Sequence, residues 1–499
     1  MYLMINMFLE LFDGVFWLFQ FLVIIVDIAA CITVVFLERR NPQTAITWLL
    51  VMIFLPIVGL IMYLFFGRHL YGSHIFSKKT EMDLILACQA EEQFHKITEK
   101  ALELAPNISR FDSTIALLLS LDKAVLTRNN EITLYIDGEK MFAAFKEEVA
   151  KARHHIHLEY FIIRDDELGS QIIELLAQKA AEGVEVRAIF DAAGTFSLKK
   201  EFFAPLKKAG GDVRIFFPLK VPFLNTRLHF RNHRKILVID GKIGFIGGFN
   251  IGDEYLGKGP MGYWRDTHLR IHGKAVVALQ TRFIMDWDYA AQDAQISVES
   301  TDSPYYPEDG FQDVVGHSYV QIVSSGPDSA EKAIYSGYMS LIGHAKESIY
   351  IHTPYFIPDE PMLTGLMLAA RSGIDVRIVI PCKPDHPFVY WANHSYLGDL
   401  LAAGVRGYTY NDGFIHSKTG IFDGIGTTIG TANWDIRSFK LNFETNAFVY
   451  DLEFGKMINQ IFLSELETNC TEITLEEYNK RSVSVRIKEG ISRLFSALL

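Results

Sequence analysis

One pattern occurs twice in this chain, and the repetition limits what it can fold into more than any other feature. His233-Arg234-Lys235 is followed, after four intervening residues, by Asp240; His416-Ser417-Lys418 leads to Asp423 at the same spacing. Ten residues after each Asp stands an asparagine, Asn250 or Asn433. An apolar run follows each Lys, and an Asp-Gly pair (Asp240-Gly241, Asp423-Gly424) ends it, which predicts a strand turning into a hairpin. Alternation along a strand places the His and the Lys of each copy on one face. Gly247-Gly248 and Gly430-Thr431-Ala432 predict a sharp turn at the end of the second arm, leaving the Asn amide free to donate.

Imidazole, ammonium and amide meeting twice suit the grip of a phosphate diester without a metal. The imidazole can attack or protonate, while Lys and Asn meet the non-bridging oxygens as charge builds. The two motifs resemble those of the phospholipase D superfamily, and within it the membrane-anchored bacterial cardiolipin synthases. The resemblance runs over nearly the whole chain, including Glu38-Arg39-Arg40-Asn41-Pro42, the segment Glu159 to Asp166 and the basic C-terminal tail. It implies a signature set of His233, Lys235, Asp240, His416, Lys418 and Asp423, with Asn250 and Asn433 binding substrate. It further implies that Asp266 and Glu444 each accept a hydrogen bond from the far nitrogen of an imidazole and so orient it. Asp240 and Asp423, in Asp-Gly positions far from the His face, are expected to fix the turn, so that their loss damages folding. By analogy His233 is the nucleophile that forms a phosphohistidine and His416 the acid and base. No cofactor or metal is expected. The implied substrate is phosphatidylglycerol, two molecules giving cardiolipin and glycerol; a hydrolase, a phosphatidylserine synthase and a nuclease are the rivals within the superfamily. A non-catalytic lipid-binding scaffold is the rival from another class, disfavoured because both motifs are intact.

Composition bears on these alternatives. A hydrophobic fraction of 49% and a positive mean hydropathy are high for a soluble chain of 499 residues. The formal net charge of −11 offers no broad basic surface for nucleic acid. Four cysteines, at 31, 88, 382 and 470, are too scattered for a disulfide framework or a zinc site.

Two apolar stretches, about Gly14 to Leu37 and about Thr44 to Phe66, predict an N-terminal transmembrane hairpin at residues 1–70, with Trp17 and Trp48 near span ends and Asp27 inside the first span. A signal peptide is the weaker reading, because no Lys or Arg precedes the run and the run continues past the cleavage-like Ala29-Ala30-Cys31. Arg68, Lys78 and Lys79 after the second span, against Arg39 and Arg40 in the loop, favour a cytoplasmic catalytic part in the bacterial plasma membrane. Residues 71–105 read as a polar, partly helical connector.

From there strands alternate with amphipathic helices, and the rhythm repeats. Tyr160-Phe161-Ile162 matches Tyr355-Phe356-Ile357, and Gly183 to Arg187 matches Gly373 to Arg377. The fold class is therefore α/β, two tandem phospholipase D-like domains at 106–305 and 306–470, with mixed sheets flanked by helices and related by a pseudo-two-fold axis that brings both motifs to one site. His154, His155 and His157 lack a companion cluster at metal spacing and read as strand or surface residues. Glu159, Tyr160 and Tyr355 are expected to line a lipid cleft or pack in the core. The tail, 471–499, reads as a basic amphipathic helix, on an anionic membrane or docked on the catalytic body. A homo-oligomer is left open.

Overall fold

The computed structural model describes residues 17, 20–37, 42–66, 81–199, 201–218, 230–296, 303–307, 311–329 and 331–494. Two compact units emerge, one within the first 70 residues and one that carries everything described from residue 81 onward.

In the N-terminal unit, residues 20–37 are helical and are followed by helices Pro42–Phe54 and Pro56–Phe66. Pro56 has no N–H to donate, and the second apolar stretch breaks at Leu55. No helix among the described residues is long and apolar enough to cross a membrane; the ends of the expected first span, 14–16 and 18–19, and most of the loop, 38–41, lie outside the described residues. Val34, Met52 and Tyr63 form a small core, with the Trp48 and Tyr63 rings edge to face at 5.5 Å. Asp27 is buried, whereas Phe21, Leu22, Ile24, Ile53, Phe54 and Val58 are exposed.

In the larger unit, sixteen strands among the described residues join in one hydrogen-bonded sheet. The first half runs, in spatial order, Asp212–Phe216, Glu185–Asp191, His155–Tyr160, Lys235–Ile239, Ile243–Gly247, His268–His272, Thr127–Tyr135. The second half has the same order in Arg406–Tyr410, Asp375–Pro381, Ser348–His352, Thr419–Phe422, Gly426–Gly430, Asn442–Tyr450, Ser318–Ser325, with Cys470–Ile473 added at its edge. In both, three parallel strands are followed by antiparallel ones, and the halves meet where Thr127 pairs with Val320. The first parallel crossover in each half is a helix whose start and stop are written locally. Asp166 and Asp359 cap Glu167–Ala181 and Glu360–Arg371, and Gly183 and Gly373 follow their ends at φ +92° and +91°.

The strand after each His-x-Lys has both faces buried and, apart from Thr419, carries no polar side chain beyond the Lys. Leu237 and Ile239 point into the core of the first half, while Ile236 and Val238 join Ile421, Ile429 and Val449 in a core shared by the two halves. One repeat is corrected by the pairing. Ile156 lies against Ile239 and Ile349 against Phe422, Ile163 bridges Ile251 as Phe356 pairs Trp434, and Asp166 caps as Asp359 does. Tyr355 is thus the counterpart of Ile162, and the two Tyr-Phe-Ile runs are two residues out of register. The Gly183 and Gly373 segments do coincide, as Glu185 pairs His155 and Asp375 pairs Ser348.

Candidate active site

Two short parallel strand pairings deliver the histidines. Arg231–Asn232 runs parallel to Asn442–Phe443, and Phe414–Ile415 runs parallel to Trp264–Arg265. Each pair joins one half to the other, and the backbone continues the match: His233 N donates to Phe443 O at 2.9 Å and His416 N to Arg265 O at 2.8 Å. The next residue on each partner strand is an acid. His233 Nδ1 therefore lies 2.9 Å from Glu444 Oε2, and His416 Nδ1 lies 2.6 Å from Asp266 Oδ2. Every imidazole takes its carboxylate from the opposite half. Gly248 makes room for one of them, since a Cβ there would stand 2.0 Å from Asp266 Oδ1.

Both acids are fully buried, which alone would raise their pKa, but His233 and Lys235 hold Glu444 below the ordinary range and Lys418 and His416 hold Asp266 below it. An ionised carboxylate can only accept, so the ring proton belongs on each Nδ1 and Nε2 keeps its lone pair. Burial drives the four bases the other way. Lys235 falls to about 7, Lys418 to about 8 and His416 to about 3, and His233 is also lowered. Lys235 Nζ donates to His233 O at 2.7 Å; Lys418 Nζ donates to His416 O and lies 2.7 Å from His416 Nδ1. Each lysine lowers the pKa of the histidine across the site as well as its own, so the two motifs feel one field.

His233, His416, Asn250 and Asn433 line one cavity of about 400 Å³, with both lysines and both acids buried behind it. The Asn250 amide is not free: its Nδ2 donates to Tyr255 Oη at 3.2 Å and its carbonyl accepts from Ile162 N at 3.3 Å. That corrects the expectation of an amide left free to donate, because the tyrosine five residues on occupies it. Asn433 Oδ1 is buried and finds no hydrogen-bond partner among the described residues. Asp240 and Asp423 stand at the hairpin turns, at φ +52° and +54°. Asp240 accepts from the N–H groups of Arg153, His154 and His155, and Asp423 from those of Lys346, Glu347 and Ser348 and from Arg110. Of the other candidates, Tyr355 lines the cavity, hydrogen-bonded to Asp385, whereas Glu159 and Tyr160 are in the interior, Glu159 accepting from Asn232 Nδ2 at 2.5 Å. His155 and His157 are buried on either side of Gln280, at 3.0 and 2.7 Å, and among the described residues no cluster of His, Cys, Asp and Glu is placed to hold a metal.

Sequence reasoning passed over Tyr255, whose Oη is 3.2 Å from His416 Nδ1, and the cavity arginines Arg164, Arg231 and Arg437. Spacing holds a signal for the first: Tyr255 and Ser438 both follow the motif Asn by five residues, and Ser438 Oγ accepts from Asn433 N at 3.2 Å. Arg234 and Arg265 were passed over too. Arg234 pairs with Asp286 at 2.6 Å and donates to Thr445 Oγ1 at 3.0 Å; Arg265 grips Glu465 through two nitrogens at 2.7 and 3.1 Å. Each fixes the backbone beside one of the acids.

The model of the family described as "Cardiolipin synthase, PLD-like domain" matches residues 145–287 and 338–466, and a phospholipase D-nuclease N-terminal model matches 25–68. A cardiolipin synthase of Listeria innocua is 46% identical over 480 residues, 96% of this chain and 98% of that protein. The chain belongs to the PLD-like cardiolipin synthase family. A major cardiolipin synthase of Bacillus subtilis is 45% identical over 95% of this chain and 98% of its own length. In fold, this family member is similar to the crystal structure of a phosphatidylserine synthase from Haemophilus influenzae, with a TM-score of 0.60 at 16% identity over 78% of this chain and 99% of that one. Each segment matched by the family model carries one His-x-Lys motif, and either histidine–carboxylate pair draws one member from each segment.

Proposed function

We propose that the chain is a cardiolipin synthase that transfers the phosphatidyl group of one phosphatidylglycerol to the glycerol hydroxyl of another. The observation that carries the reading is the crossed pair of histidine–carboxylate contacts about a single cavity. The relatives that match over nearly the full length are named cardiolipin synthases, which supports the reading.

In this scheme His233 Nε2 attacks phosphorus, the P–O bond to the headgroup glycerol breaks, and His416 gives that oxygen a proton. The glycerol hydroxyl of the second lipid then returns a proton to His416 and attacks phosphorus, releasing His233. An imidazole lowered to about 3 by burial and by Lys418 holds a proton poorly. A phosphodiester brings the negative charge that reverses this, and Lys235 and Lys418 become fully cationic with it and take up the charge of the non-bridging oxygens. Proton transfer is in this way tied to occupancy by an anion. Substrate contact falls to Asn433 and the cavity arginines, while Asp240 and Asp423 act on the turns.

We read residues 1–70 as the membrane-inserted hairpin, supported by apolar side chains exposed on its described helices, with residues 106–305 and 306–470 as the two catalytic domains on the cytoplasmic side. Labelled phosphatidylglycerol supplied to the full chain in proteoliposomes tests the whole proposal. One glycerol released per cardiolipin, undiminished by EDTA, is expected; phosphatidic acid as the sole product would make it a hydrolase, and loss with EDTA restored by a divalent ion would overturn the metal-free scheme.

A further inference from the structure

Helix Val483–Leu494 is docked with its polar side inward. Glu489 and Ser492 are 4% and 2% exposed, while Val483, Ile487, Ile491 and Leu494 stand 72%, 56%, 45% and 81% exposed. Steps of four, four and three residues set those apolar side chains in one stripe. Ion pairs hold the helix in this orientation: Arg481 meets Glu489 at 3.0 Å, and Arg493 meets Asp399 at 2.7 Å. At 100° per residue Arg486 and Lys488 fall one on either side of the stripe, both exposed. A stripe of bulky apolar groups edged by cations is the pattern of a helix lying at an anionic lipid interface.

Its place on the body fits that use. The helix packs on Pro387–Ala402, with Lys488 Nζ 5.1 Å from the Trp391 ring and the Arg493 guanidinium 4.5 Å from the Tyr396 ring. Both contacts have the same separation along the chain, so the two helices run parallel, and the Val483 end comes level with His386. His386 and Val389 line the catalytic cavity, and Phe388 between them is 56% exposed. The apolar stripe thus leads toward the site.

Resting on the lipid substrate proposed above, we infer that this face seats on the anionic leaflet that holds the substrate, with Val483, Ile487, Ile491 and Leu494 among the acyl chains and Arg486 and Lys488 at the phosphates. The cavity is then presented to the bilayer by the body itself. A polarity-sensitive fluorophore on Ile487→Cys, with Cys31, Cys88, Cys382 and Cys470 replaced by serine, reports on the full chain in liposomes containing phosphatidylglycerol. The expected result is blue-shifted emission quenched by brominated acyl chains. Water-like emission would overturn the proposal, as would a blue shift that vanishes at one chain per vesicle, which would assign the stripe to a second copy. The double variant Ile487→Gln/Ile491→Gln should lose about tenfold in turnover of bilayer phosphatidylglycerol and nothing on a short-chain, monomeric phosphatidylglycerol. Equal loss on both would overturn it. If the unaltered chain turns over neither lipid, the functional reading fails, while the fluorescence still decides the surface.

Discussion

His233 and Glu444 lie 211 residues apart in sequence, and His416 and Asp266 150, yet each pair is in direct contact. A carboxylate placed so fixes the ring tautomer and stabilises the imidazolium that forms during proton transfer. Replacing it by an amide keeps the shape and loses the tautomer, so Asp266→Asn and Glu444→Gln should each lower turnover by roughly 10²–10⁴-fold with little change in melting temperature. Near-normal rates would show that the acids only fill space. The lysines make a second prediction. Lys235 and Lys418, lowered by burial to about 7 and 8, are partly deprotonated at pH 8, and His416, at about 3, is neutral. A tetrahedral oxyanion favours the cationic forms and raises all three pKa values. Vanadate binding at pH 8 should therefore be accompanied by net proton uptake, read from calorimetry in buffers of different ionisation enthalpy; release or no exchange would contradict the assigned field. Identity and spacing made the His, Lys and Asn residues legible in the sequence. They did not show that Asn250 is occupied by Tyr255, because that depends on how one loop closes.

The hairpins show what the last residue of each motif does. Asp240 and Gly241 take φ of +52° and +66°, Asp423 and Gly424 +54° and +59°, the mirror-image turn that Asp-Gly favours, and each carboxylate then gathers three backbone N–H groups at the start of a neighbouring strand. Asp240→Ala strands those donors and strains the turn, and should cost about 1–3 kcal/mol in thermal or urea unfolding, with normal turnover per folded molecule. Asp240→Asn, which tolerates the left-handed conformation, should cost less. A variant that melts normally but has lost activity would move Asp240 into the chemistry. Elements with strong periodicity and local punctuation, such as Asp166 and Gly183 around their helix, could be read from the chain alone. The two-residue strands could not, since Phe414–Ile415 is too short to carry a pattern and has meaning only beside Trp264–Arg265. The Tyr-Phe-Ile runs have a similar origin: Tyr160 still pairs within its strand, whereas Tyr355 lies beyond the end of Ser348–His352, past Thr353 and Pro354, so identical letters stand at different positions.

For the molecule as a whole, duplication within one chain does what a symmetric dimer does between two. The halves are joined edge to edge at Thr127 and Val320, and two reciprocal strand pairs exchange the acids, so a single polypeptide encloses the cavity with both imidazoles and both carboxylates. Neither half by itself holds a histidine paired with its carboxylate. This separates two architectures that an oligomer would otherwise confuse. His233→Ala and His416→Ala should each abolish turnover in a folded protein, and when the two variants are co-expressed and reconstituted together the activity should stay absent, because every cavity then lacks one imidazole. Recovery of about a quarter to a half of the unaltered rate would mean that chains exchange halves and rebuild an intact site between them, as domain swapping allows. Since the crossing contacts join 231–233 to 442–444 and 264–266 to 414–416, with both histidines and both acids buried, the expectation is no recovery at any ratio of the two variants, measured as cardiolipin formed from labelled phosphatidylglycerol.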